Sequence, residues 1–240
     1  MTKAELYCRV DDIRRRYGFA ASRDPLCMEL FCKRLGLRVE YYPYKTKGLR
    51  GVALIDKDMI SINSNIAEIS RKFYTGHELL HFFFHAERQQ VFNCFETPPK
   101  DDFMEWEANE GAAEFILPRR AFLHYVADAA PDIHGGRQYY ALKRNMAKHF
   151  NVSAQNIHYR FQGLKYEIAQ CLTGTPINQI IYLSEKQQQH AGIRIFSLNE
   201  IYPDIFTPGD MQTIYARRGC GDVVNFGVKF TSAAALPVWL

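Results

Sequence analysis

Two histidines four residues apart, with a glutamate directly after the first, give His77-Glu78-Leu79-Leu80-His81 the types and spacing for metal-assisted hydrolysis. On a helix, positions i and i+4 share a face, so both imidazoles can offer a nitrogen to one ion. Glu78 lies one residue round from the first ligand, where its carboxylate can act as base on a water beside the ion rather than bind the ion itself. Two histidine ligands, an open position and a flanking base are the parts of a hydrolytic zinc site. The competing reading is a buried amphipathic helix whose histidines bond neighbouring carbonyls. Against it stands the cost of burying His, Glu and His without partners in the apolar run from Phe73 to His85.

A catalytic zinc needs a third protein ligand, usually from a second helix. Met104 to Phe115 carries four glutamates, and helical periodicity sorts them. Glu105, Ala108, Asn109, Ala112 and Phe115 fall on one stripe, small and apolar except at its ends. Glu107, Glu110 and Glu114 form the opposite, charged stripe, which belongs in water. Small residues beside Glu105 let this helix come close to the motif helix. Geometry therefore makes Glu105 the third ligand, the alternative being a buried carboxylate paired with an arginine. Asn109, one turn on, is placed to bond the far nitrogen of a ligand histidine. His85 continues the face of His77 and His81, one turn too far along to centre on the ion, and is expected either as a structural histidine or as a support behind the ligands. The requirement is one zinc per chain.

The elements that must hold these residues follow from pattern and punctuation. A first helix spans Ala4 to Tyr17, with Arg14-Arg15-Arg16 read as a solvated face. Asp24-Pro25 starts a second helix and Gly36 stops it. Leu37 to Tyr42, Gly51 to Ile55 and Met59 to Ile62 read as strands of a small antiparallel sheet leading into the motif helix, Glu68 to Ala86. Pro98-Pro99 breaks the chain, and the glutamate-bearing helix runs from Asp101 to Leu117, ended by Pro118. Helices follow at Arg119 to Ala127, Tyr139 to Phe150 and Ser153 to Cys171. Beyond Thr173 come short β-like runs, Gln179 to Leu183, Ile193 to Leu198 and Val223 to Phe230.

Phe73 to His81 with His85, then Glu105-x-x-Ala108-Asn109-x-x-Ala112-Ala113 and Leu117-Pro118, resembles the ImmA/IrrE family of zinc metallopeptidases. That family shows F-T-x-A-H-E-L-G-H, then E-x-x-A-N-x-F-A-A and a closing L-P. The similar stretch covers Leu37 to Pro118, and more weakly the helices to Gly163. The resemblance implies site-specific cleavage of a partner repressor, with zinc on His77, His81 and Glu105 and with Glu78 as the base. Departures from the pattern include Tyr74 for Thr, Leu80 for Gly and Gly111 for Phe. None removes a ligand or the base; what they alter is the shape of the cleft.

The remaining composition narrows the class. The 240 residues are 47% hydrophobic with a formal charge of +4, which suits a globular chain and does not argue for nucleic acid. Six scattered cysteines, Cys8, Cys27, Cys32, Cys94, Cys171 and Cys220, form no C-x-x-C pair and read as reduced, mostly buried thiols. Neither a signal-type h-region nor a span of ~18 apolar residues appears, so a cytoplasmic protein without a membrane is expected. Leu142 to Phe161 has helix-turn-helix spacing: small Ala147, a turn at Asn151-Val152, a Ser153 cap, and apolar Ile157 and Phe161. Gln155, Asn156, His158, Tyr159 and Arg160 are the polar groups of its second helix. Such pairs more often pack or dock protein than read DNA, and that reading is favoured over DNA contact.

The sequence thus reads as an α+β fold in three parts. Residues 1–118 form a zincin-like peptidase domain, 119–171 a helical, helix-turn-helix-like segment, and 172–240 a small β-containing region of unnamed role. The expected activity is that of a zinc endopeptidase acting on a repressor-type protein substrate. His124, Tyr139, Tyr140, His158 and Tyr159 are the candidate oxyanion donors. The alternative is a regulatory binding protein that works through the helix-turn-helix-like segment, with a structural or vestigial zinc site.

Overall fold

Met59-Ile60-Ser61-Ile62-Asn63 has the β-branched alternation of a strand with both edges covered, and Ile60 and Ile62 are fully buried. The computed structural model describes residues 1–19, 27–96, 102–130, 136–196, 216–219 and 222–225. There, β1 (Arg38–Tyr42), β2 (Leu49–Leu54), β3 (Met59–Asn63) and β4 (Val91–Phe95) make one sheet in the order β1-β3-β2-β4. The β2–β3 and β2–β4 pairings are antiparallel, as expected, while β1 joins β3 in parallel. β3 is inserted between β1 and β2, which run in opposite directions, so β1 meets its neighbour in parallel and the sheet is mixed rather than wholly antiparallel. The sequence reading passed over β4, although Val91-Phe92-Asn93-Cys94-Phe95 alternates strictly between exposed and buried.

The described chain divides into two compact units, Met1 with Glu5–Pro118 and Phe150–Asn156 in one, Thr2–Ala4 with Arg119–His149 and Ile157–Leu240 in the other. The first holds the sheet, most of α1 (Lys3–Arg16), α2 (Met28–Arg34), α3 (Glu68–Phe84) and α4 (Phe103–Ile116). α3 lies against β2 and β3 on one side and α4 on the other. The Arg71 guanidinium donates to the carbonyls of Ile66 and Ser64, both at 2.9 Å, and so clamps the turn from β3 into α3. Leu6, Tyr7, Val10, Phe31, Leu79, Leu80, Ala108 and Phe115 fill the core. The three arginines of α1 do not share one solvated face: Arg14 is buried and donates to the Phe115 carbonyl. Asp24-Pro25 and Pro98-Pro99 lie outside the described residues.

Two departures from the family pattern meet in this core. A Cβ built on Gly111 would stand 3.1 Å from Leu80 Cδ1, so the larger residue at 80 occupies the space that the smaller residue at 111 vacates. Gly111→Phe is expected to destabilise the fold by about 1–3 kcal/mol through overpacking. In combination with Leu80→Gly, denaturant unfolding should show a favourable coupling of about 0.5–3 kcal/mol. Strict additivity of the two changes would show that they do not share space.

The second unit contains α5 (Arg119–Ala129), all but the end of α6 (Gly136–Phe150), all but the first turn of α7 (Ala154–Gly163), α8 (Lys165–Leu172) and α9 (Glu185–His190), with a small antiparallel sheet of β5 (Arg194–Phe196), β6 (Ala216–Gly219) and β7 (Asp222–Asn225). The helix expected from Ser153 to Cys171 is two helices, interrupted at Leu164. No described strand covers Gln179 to Leu183, and Val223 to Phe230 falls mostly outside the described residues. α9 was not anticipated, although Ser184 and Gln187 form its capping box. Between α6 and α7, Asn151 takes a left-handed φ of 51° and Ser153 Oγ accepts from the Asn156 N–H at 3.1 Å. Ile157 and Phe161 are buried as the pattern requires, but so is Arg160, which removes it from the polar surface assigned to it. Among the described cysteines, all free, only Cys32 and Cys94 are buried; Cys8 and Cys27 are exposed and Cys171 lies between. No described helix is long and apolar enough to cross a membrane.

Candidate metal centre

α3 brings the motif histidines inward because their stripe is its buried face: Thr75 to His81 are all buried. α4 starts at Asp102, whose carboxylate accepts from the Met104 N–H at 2.9 Å and the Glu105 N–H at 3.2 Å. That cap fixes Glu105 in the first turn, opposite the two histidines.

His77 Nε2 and His81 Nε2 stand 3.2 Å apart. Glu105 reaches both, with Oε2 3.4 Å from His77 Nε2 and Oε1 3.4 Å from His81 Nε2. One ligand atom from each residue falls within 4.8 Å of the others. Asn109 Oδ1 lies 3.0 Å from His77 Nδ1, and an amide oxygen only accepts. The His77 proton therefore sits on Nδ1, which leaves the Nε2 lone pair facing the centre. Burial holds the His81 imidazole down at about 4, in its neutral form. For Glu105, burial pushes upward, but contact with His77 and His81 outweighs it and holds the carboxyl at about 2, ionised. Glu105 Oε2 is buried without a hydrogen bond. Two imidazole Nε2 atoms, an ionised carboxylate and an orphaned oxygen converging on one point fit a divalent cation of zinc's preferences.

Glu78 occupies a separate notch. It is fully buried, and neither carboxylate oxygen completes a well-formed hydrogen bond. Burial and the nearby Glu105 charge raise its pKa well above the ordinary carboxylate range, which the Cys94 thiol and Ala53 backbone offset only in part. The notch exists because residue 51 has no side chain: a Cβ on Gly51 would lie 2.6 Å from Glu78 Oε1. Gly51 pairs with Cys94 across β2 and β4, so the two strands wall in the carboxylate together. Burial raises the Cys94 thiol well above its usual range, with Glu78 and Glu105 adding to it. Phe92, the other buried residue of β4, stacks on His81 with ring centroids 4.1 Å apart and 17° between planes.

His77, Glu78, His81, Glu105, Asn109 and His85 are thus all brought together. Glu107 and Glu114 are buried, and Glu110 accepts from the Tyr7 hydroxyl, so the stripe assigned to water is largely interior. The reason lies outside α4: partners distant in sequence satisfy it, His85 Nε2 at 2.9 Å from Glu107 Oε2 among them. Gly51, Phe92, Cys94 and Glu107 were missed as site residues. The β4 alternation would have supplied two of them; Gly51 and Glu107 carry no local signal. The five proposed oxyanion donors belong to the second unit, where Tyr139 is core, packed on Phe161, and His124 is exposed.

Comparison with known proteins gives a family match. The family model described as Peptidase_M78, IrrE N-terminal-like domain, matches residues 32–162, more than half of the chain. No curated protein matches it. A similar solved structure is a Mycobacterium tuberculosis transcriptional regulator, 13% identical, with a TM-score of 0.45 over 66% of this chain and 46% of that one. The likeness thus spans less than half of that protein's length.

Proposed function

This chain belongs to the Peptidase_M78 family, the IrrE N-terminal-like peptidases, and from that premise we propose that it is a zinc-dependent endopeptidase cleaving a repressor-type regulatory protein in the cytoplasm. The observation that carries the reading is the convergence of His77 Nε2, His81 Nε2 and Glu105 beside a base held in its own notch. His77, His81 and Glu105 would hold one zinc ion, whose chemistry is to polarise the scissile carbonyl and make a water acidic near neutral pH. Glu78 accepts the proton of the attacking water at a carboxylate oxygen and delivers it to the leaving amide nitrogen. Gly51, Ala53 and Cys94 confine that carboxylate, so little reorientation is needed when the proton moves. Asn109 fixes the proton of His77 on Nδ1 and keeps Nε2 available.

The helix-turn-helix-like segment serves packing or protein docking in this reading, and buried Arg160 is in keeping with that. The test is to incubate the full chain with each regulatory protein encoded beside its gene, with and without a chelator. A defined fragment that disappears with chelator and returns with zinc is expected. An intact regulator that instead stays bound to the chain, with or without chelator, would shift the function to regulatory binding.

A further inference from the structure

Glu107 closes a buried path that starts at one of the candidate ligands. His81 Nδ1 lies 3.0 Å from His85 Nδ1, and His85 Nε2 lies 2.9 Å from Glu107 Oε2. His85 is 1% exposed and Glu107 4% exposed, so the path is shielded from bulk solvent. We propose that Glu107, acting through His85, is a positioning residue of the metal centre that fixes the tautomer and ring orientation of His81. The inference rests on the metallopeptidase reading above.

The direction of every hydrogen bond follows from its end. A carboxylate only accepts, so His85 donates from Nε2 and its Nδ1 carries a lone pair. That lone pair accepts only if His81 carries its proton on Nδ1, and a neutral imidazole protonated there has its lone pair on Nε2. His81 Nε2 is the atom that faces His77 and Glu105. Phe92 stacks on the same ring and removes its remaining freedom to tilt. The two candidate ligands are therefore held differently: His77 by one neutral amide, His81 by a second imidazole backed by a carboxylate. The carboxylate end makes His81 the more basic donor. The Met1 α-amino group, 3.3 Å from Glu107 Oε1, occupies the other oxygen and leaves Oε2 to His85.

A purely structural Glu107 would lower fold stability and leave metal affinity alone, and that contrast defines the test. Zinc affinity of the full chain is measured by competition with a chromophoric chelator, and cobalt(II) is substituted to read the ligand field. Glu107→Ala and His85→Phe are each expected to weaken zinc binding roughly 10–100-fold and to shift the cobalt spectrum. Glu107→Gln, which keeps volume and an acceptor oxygen but loses the charge, should fall between them and wild type, and it carries the test where the alanine variant does not fold. The double variant should bind no more weakly than the worse single one, since both cut one path. Affinities within about twofold of wild type with an unchanged cobalt spectrum, or losses that multiply in the double variant, would overturn the relay alone. A wild-type chain that takes up no zinc would remove the metal reading and the relay with it.

Discussion

His77→Ala and His81→Ala should each emerge from purification without the single equivalent of zinc expected of the wild-type chain. Each substitution removes one of only three donors, and the two that remain cannot close a tetrahedral site with water alone at comparable affinity. The expected loss is therefore well beyond the ~10–100-fold that follows removal of a supporting group. Glu105→Ala should also cut affinity sharply, because Oε1 and Oε2 each stand 3.4 Å from one of the two Nε2 atoms. Asn109→Ala belongs to the milder class, since it touches the centre only through His77 Nδ1. Elemental analysis after dialysis against a weak chelator separates these cases. A full equivalent of zinc retained by either histidine variant would move the site elsewhere on the chain.

How much of this was legible depends on whether the partner lies nearby in sequence. His77, Glu78 and His81 could be read because helical geometry alone places them, and Glu105 because the small residues Ala108 and Ala112 mark the close-packed face. The same periodicity failed for Glu107. A charged residue opposite an apolar stripe is ordinarily solvated, and only the fold reveals that His85 and the Met1 amino group wait on that side. Arg14 and Arg160 failed in the same way, each buried within a run or helix that looks polar. The parallel β1–β3 pairing was hidden for another reason: strand order is a long-range property, and hydrophobic alternation reports the face of a strand but not its neighbour. Gly51 shows the limit most clearly. Nothing in Leu49-Arg50-Gly51-Val52 announces the notch around Glu78, because the signal is the absence of an atom that a glutamate 27 positions later would otherwise meet.

Glu78→Gln is expected to keep its zinc and lose cleavage by ~10²-fold or more, since the amide preserves shape but cannot take the water proton. Gly51→Ala makes the complementary change, leaving the base chemically intact and displacing it. The added Cβ would stand 2.6 Å from Oε1 and close to Ile62 Cδ1 at 3.0 Å, so the Glu78 carboxylate must give way. A displacement near 1 Å at a reacting group is enough to cost about 10²-fold in turnover. Zinc content should stay at one equivalent in Gly51→Ala, because the atoms nearest to the added Cβ belong to Glu78 and Ile62 rather than to His77, His81 or Glu105. The loss should fall on kcat rather than KM, as a base misplaced in the transition state demands. Combining the two substitutions should add little to Glu78→Gln alone, for a notch has no use once its occupant cannot accept a proton. If Gly51→Ala instead cleaves normally with zinc bound, the Glu78 carboxylate works from outside the notch, and the strand wall of β2 and β4 has no part in the reaction.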